Sequence, residues 1–311
     1  MEKKTKKNLI TYLIIAGSCL AVGGVAGVIG KRVLGQEIVD DSSFNPKKFE
    51  ANVDEIYSRY LKYTGTNITN DFSTSEIINI ALEKYRRCEN SYSMGIGVAY
   101  AEAPVIGTVE QAIRSAQVKN GDKYFEESSS KSTQVQCAVR TYQEGKDGEL
   151  DSYKGSSVSS NAEKATYSND FTHYTHKNYK KTWGKTLDEM FIYIISNKTI
   201  LKVESFDKKT DSYVITIDLN PDTSTYYYKT QMVTISELDS RPVFSKEKLT
   251  FTLSKELNLI HLRCEEAYEA SKFKFTAPTT ATIDYYYYPN GYYEIPSYNQ
   301  PIDYSLVKGG N

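Results

Sequence analysis

The chain has only three histidines among its 311 residues, and two of them, His173 and His176, stand with Asp170 at intervals of three. On a helical turn that spacing would bring all three to one face, where a zinc-type ion finds imidazole and carboxylate ligands. The neighbouring residues show no helical apolar pattern and supply no fourth ligand, so the segment reads as a polar loop, and no metal or cofactor is expected. His261 falls between Leu259 and Arg263 on a strand face opposite Cys264, a structural position. Outside the apolar segment 8–30, which holds Cys19, the cysteines Cys88, Cys137 and Cys264 number three and cannot all pair within one chain, and no Cys-x-x-Cys occurs. The adjacent carboxylates Glu126-Glu127 and Glu265-Glu266 point to opposite faces of any strand, which is not the arrangement of a glycosidase pair. Phosphate-loop, HExxH, nucleophile-elbow and dinucleotide patterns are missing, and Gly95-Ile96-Gly97 lacks a third glycine. An enzyme is not expected.

Binding is the better prospect. From Tyr92 the pattern has period two: Met94, Ile96, Val98 and Tyr100 point one way, and Ser93, Gly95, Gly97, Ala99 and Ala101 the other. The bare face either admits a closely packed helix or forms the floor of a ligand site. In the run 285–288, alternation sends Tyr285 and Tyr287 to one side and Tyr286 and Tyr288 to the other. The outward pair, with Tyr292 and Tyr293, could stack on sugar rings or a protein partner, or simply stabilise the sheet. The candidate ligand-binding residues are therefore Met94, Gly95, Ile96, Gly97, Val98, Tyr100, Tyr286 and Tyr288.

These strands must be placed by the rest of the chain. Its net charge of −1 divides into a basic start and an acidic remainder: residues 1–32 carry six Lys or Arg against Glu2 alone, a net +5. An acidic remainder without a basic run argues against nucleic acid as a partner. Residues 8–30 are uncharged and mostly apolar. At 1.5 Å per residue they reach about 34 Å, enough for a bilayer core. The run is longer than a signal-peptide core and ends in Lys31-Arg32, and Ala16 stands where a lipoprotein signal has Leu before Cys19. The expectation is an uncleaved single-pass signal-anchor, with residues 1–7 cytoplasmic, 31–45 a linker, 46–305 an extracytoplasmic domain and 306–311 a tail.

Helical spacing predicts helices over 46–63 and, behind the capping box Ser73-Thr74-Ser75-Glu76, over 73–87. Strands are predicted at 92–101, at 109–118 and 123–128 around the Asn120-Gly121 turn, and at 133–142. Residues 155–184 read as a long irregular loop, 186–195 as a short helix, 200–206 and 213–219 as strands, 223–236 as a helix, and 248–253, 257–268 and 272–288 as strands. Tyrosine, with 27 copies against 11 Phe and one Trp, fits so much sheet. The order is α+β, a long curved antiparallel sheet covered by helices.

The segments Lys119-Asn120-Gly121-Asp122-Lys123-Tyr124-Phe125-Glu126, Pro242-Val243-Phe244 leading into Lys248-Leu249-Thr250-Phe251-Thr252-Leu253, and Glu265-Glu266-Ala267-Tyr268 make this order resemble the LolA/LppX-type half-barrel proteins of bacterial envelopes, over about residues 50–290. The resemblance implies a cavity for acyl chains between a curved sheet and helices. The expected ligand is then a lipid or another envelope component, with cell-wall glycan or an envelope protein as the alternative partner of the tyrosine-rich surface.

Overall fold

The computed structural model describes residues 44–103, 107–132, 135–158, 166–236, 238–272 and 275–307. The expected membrane segment 8–30 and most of the linker lie outside these residues. Among the described residues no helix is long and apolar enough to cross a membrane.

Three helices come first: α1 (Val53–Leu61), α2 (Ile68–Asp71) and α3 (Thr74–Arg87). The capping box at the start of α3 is closed on both sides, with the Glu76 N–H donating to Ser73 Oγ and the Ser73 N–H donating to Glu76 Oε2 at 2.8 Å. Six strands follow: β1 (Asn90–Ala103), β2 (Gly107–Asn120), β3 (Lys123–Lys131), β4 (Val135–Glu144), β5 (Leu150–Val158) and β6 (Thr166–Tyr174). After α4 (His176–Trp183) come β7 (Ile200–Lys208), β8 (Ser212–Leu219), the short α5 (Pro221–Ser224), α6 (Tyr226–Ser236), β9 (Val243–Ser254), β10 (Leu259–Lys272) and β11 (Phe275–Pro289).

All eleven strands form one open, curved antiparallel sheet in the order β6-β5-β4-β3-β2-β1-β11-β10-β9-β8-β7. It consists of two meanders joined where the first strand pairs with the last, Gly95 opposite Tyr285 and Met94 opposite Tyr286. The two edges, β6 and β7, are therefore neighbours in sequence but lie at opposite ends of the sheet. At about 4.8 Å per strand the separation across a flat sheet is about 48 Å. Residues 175–199 make that crossing over one face, carrying α4 with them. This face, with α1–α3 and α6 also on it, is the inner one.

The inner face has two apolar parts. Ile215, Ile217, Leu249, Phe251, Leu262 and Cys264 meet Ile77, Ile78, Ala81 and Tyr85 of α3. At the other end Tyr124, Val139 and Leu150 meet Tyr179 and Trp183 of α4. The outer face is covered over β2–β4 by the chain after β11, where Tyr293, Ile295, Ile302 and Tyr304 pack on Ala116, Val118 and Phe125.

Three expectations are corrected. The described part of 155–184 is not an irregular loop: residues 155–158 end β5, and strand β6 and α4 fill most of 166–184. Strand β6 is an edge strand whose aromatic residues Tyr167, Phe171 and Tyr174 stand four and three apart among polar ones, so it lacks the period-two alternation that marks a half-buried strand. Residues 186–195 form only one 3₁₀ turn, Leu187–Glu189, because Met190 adopts left-handed backbone (φ 54°) that stops the helix. The expected cap is present there, the Thr186 N–H donating to Glu189 Oε2 at 2.9 Å. The β2–β3 turn also sits one residue later than expected: Asn120 pairs with Lys123, and Gly121 (φ 61°) and Asp122 make the turn.

Candidate functional site

The apolar layer between the sheet and α1–α3 reaches the surface at one end. There a cleft of about 420 Å³ is lined by Tyr60, Leu61, Tyr63, Ile68, Tyr213 and Leu257, with Lys255 at its rim. Ile68 and Leu257 are buried members of the core beneath it, and Tyr60, Tyr63 and Tyr213 pack against the same core. Leu61 stands 68% exposed at its edge. The cleft thus lies over the largest apolar cluster among the described residues, with Ile68 and Leu257 as its floor.

Deeper along the inner face the sheet carries a pair of acids. Glu247 of β9 and Glu266 of β10 are direct cross-strand partners, the next inward-facing pair after Leu249 and Cys264, with Lys248 and Glu265 between them. They are 2% and 3% exposed. The Tyr193 hydroxyl donates to Glu266 Oε1, and that of Tyr228, on α6, donates to Glu266 Oε2 at 3.2 Å. Among the described residues neither oxygen of Glu247 has a hydrogen-bond partner. Burial raises the Glu266 carboxyl to about 7, against the pull of the two tyrosine hydroxyls. Burial, then the Glu266 charge, pushes Glu247 well above the ordinary carboxylate range. Sequence reasoning missed this pair because it looked for carboxylates adjacent in the chain and began the strand at Lys248. Extending the alternation Leu253, Phe251, Leu249 by one more step points Glu247 inward, as Cys264 does for Glu266.

The candidate residues from the sequence divide between the faces. Gly95 and Gly97 face inward; a Cβ on Gly95 would lie 2.3 Å from Ser115 Oγ and 2.7 Å from the Tyr285 ring, and one on Gly97 would lie 2.5 Å from the Thr282 carbonyl oxygen. Tyr285 therefore occupies the space above Gly95. Met94, Ile96, Val98 and Tyr100 lie on the outer face with Tyr286 and Tyr288. There Met94 sits opposite Tyr286, Tyr288 stacks on Tyr92 at 4.3 Å between ring centroids, and Tyr286 leans on His261 at 4.9 Å. His261 Nε2 also lies 2.9 Å from Asp284 Oδ1. Cys264 is buried and free; Cys88 is free as well.

Ten chains among solved structures are similar to this one, two of them as follows. One is a LolA superfamily protein from Nitrosomonas europaea, at 8% identity over 69% of this chain and 92% of that one, with a TM-score of 0.21. The other is a domain described as an outer membrane lipoprotein-sorting protein from Vibrio parahaemolyticus, at 10% identity over 67% of this chain and 89% of that one, with a TM-score of 0.24. No family model matches the chain, and no curated protein matches it.

The structure does not bring His173 and His176 together on one ligand-bearing face. His173, on β6, lies between Asp151 Oδ1 (2.7 Å from Nδ1) and Glu149 Oε2 (3.1 Å from Nε2). The Asp151 hydrogen bond, then the two negative charges, raises its pKa. His176 opens α4 and faces Asp188 at 3.5 Å. His173 belongs instead to an outward hollow of about 730 Å³ at the ends of β3–β6, lined by Tyr124, Tyr142, Tyr292, Glu149, Asp151 and Glu294 among others.

Proposed function

We propose that the chain is a non-enzymatic binding protein, anchored by residues 8–30 with its bulk outside the cytoplasm, that takes up a hydrophobic, acyl-chain-like ligand between the sheet and helices α1–α3. The observation that carries this reading is the cleft at Leu61, Ile68 and Leu257, where the apolar layer meets solvent. An alkyl chain laid against Leu61, Ile68 and Leu257 there would gain about 0.8 kcal/mol for each methylene it buries on them, while Thr66, Lys255 and the tyrosine hydroxyls at the walls stay available to a polar headgroup. The carboxylate pair is sealed beneath aromatic side chains, which fits binding better than hydrolysis.

Native mass spectrometry of the full chain from mild detergent is expected to show copurified lipid, and a fluorescent fatty acid is expected to bind and be displaced by it. Leu61→Glu, at a position too exposed to affect folding, should weaken the fluorescent probe's binding about tenfold. Absence of both copurified lipid and probe binding would rule this reading out.

A second reading rests on the hollow beside His173, where Tyr124, Tyr142 and Tyr292 accompany carboxylates in the manner of a sugar site. It predicts retention on purified cell wall that Tyr292→Ala reduces, with fatty-acid binding untouched.

A further inference from the structure

The acyl-chain reading makes no use of Glu247 and Glu266, the most deeply buried carboxylate pair described. Two acids placed opposite each other across neighbouring strands, one with both oxygens unpartnered, are costly for the closed molecule to hold in ionised form. The groups facing them are acids or neutral hydroxyls. Tyr193 comes from the crossing segment, Tyr228 from α6, Tyr268 and Cys264 from β10, and Tyr285 from β11, and burial pushes all five up. Lys246, the next residue on β9, points to the outer face and lies 3.8 Å from Glu265.

The two hydroxyls that reach Glu266 come from the two pieces of chain that close this part of the inner face. Residues 190–196 carry Tyr193 and start at Met190, whose left-handed backbone is rare for a methionine. Tyr228 belongs to α6, and the Tyr193 and Tyr228 rings meet at 5.4 Å. Residues 190–196 also link the two regions of the interior: Met190 and Ile195 are in the core that the cleft opens onto, and Ile192 packs with Tyr228, Phe244 and Tyr268.

We propose that Glu247 and Glu266 act as a proton-operated latch, holding residues 190–196 and α6 against the sheet when protonated and releasing them when ionised. The latch would regulate access to the interior, and in that respect it rests on the acyl-chain reading. The closed state binds protons more tightly than any state in which water reaches the carboxylates. Raising the pH from about 4.5 to about 7 therefore favours opening by up to about tenfold per pH unit for each carboxylate that remains protonated when closed.

Ligand-free hydrogen exchange tests the latch independently of any lipid. After correction for intrinsic exchange, the opening constants of Tyr226–Ser236 and residues 190–196 should rise at least tenfold between pH 5.5 and 7.5, and α3 should not follow. Glu266→Gln keeps an oxygen for the two tyrosines and should remove most of the rise; Glu265→Gln, on the outer face, should leave it intact. Should Glu266→Gln fail to fold, infrared detection of protonated carboxyl in the unaltered protein takes its place, with a buried acid band fading near pH 7. Opening that is the same at both pH values, a rise unchanged in Glu266→Gln, or an infrared spectrum without such a band would each overturn the proposal.

Discussion

Arg140 shows how much a single buried charge can hold. It is 3% exposed on the outer face of β4, and its Nε donates to Glu127 Oε2 at 2.5 Å. Its Nη1 donates to the carbonyls of Ser297 and Tyr298, both at 3.0 Å, and to that of Gln300. Glu127 in turn accepts the hydroxyls of Tyr167 and Tyr304, each at 3.0 Å. Removing one member leaves the other buried and uncompensated, which typically costs about 3–5 kcal/mol. Arg140→Met should accordingly lower the urea midpoint by that free energy and make the chain after Pro289 sensitive to protease. The double variant Glu127→Leu/Arg140→Met should recover most of the loss; a destabilisation of the single variant below about 1 kcal/mol would contradict this account. In the sequence Arg140 alternates with Val139 and shares its side of the strand with Gln136, a pattern that belongs to a solvent-facing position. Its burial depends on a turn-rich segment some 150 residues away, and no local pattern announces such docking.

Elements whose own residues decide their form were legible, and those decided by neighbours were not. Helix α3 was readable because its stop, its start and its apolar face agree: a capping box, buried Ile77, Ile78 and Ala81, and Lys84, Arg86 and Arg87 in the last turn. Strands β8 and β9 were readable because each buries alternate residues, Ile215 and Ile217 on one, Leu249, Phe251 and Leu253 on the other. Strand β6 was hidden because its aromatic residues do not recur at every second position, and the helix expected after Thr186 because Met190 turns the chain. The candidate site follows the same division. Met94, Tyr286 and their neighbours could be assigned to faces from period alone, whereas Glu247 and Glu266 meet only through the β9–β10 register. Since α3 covers the sheet, weakening its start weakens the whole molecule. Ser73→Ala, which removes the acceptor for the Glu76 N–H, should cost about 1 kcal/mol in chemical denaturation. Ser73→Asp, which keeps an acceptor there, should cost much less.

At the scale of the molecule, the carboxyls divide into two groups that act on stability in opposite pH ranges. Glu83 is held below the ordinary carboxylate range despite the opposing effect of burial, because Arg86 and Arg87 bond to it; Glu76 is lowered against the same opposition by Ser73 and Arg59. Their contribution is complete above the unfolded-state pKa and is lost as pH falls through the lower folded value. Glu266 works the other way. Its folded value of about 7 lies above the unfolded value of about 4.3, so the folded chain holds the extra proton between the two. Stability from that proton is complete below the unfolded pKa and disappears as pH rises through 7, a change of roughly 4 kcal/mol. The exposed His173, whose pKa is also raised, acts in the same direction. Unfolding free energy should therefore be greatest in the mildly acidic range, near pH 5, and fall on both sides. Glu266→Gln removes only the alkaline descent due to that group, so its denaturation midpoint should move above that of the unaltered chain at pH 8 and converge with it, or fall slightly below it, at pH 5. Guanidinium titrations at the two pH values decide the matter: equal midpoint differences at pH 5 and pH 8 would mean that the interior pair does not change its proton count when the chain unfolds.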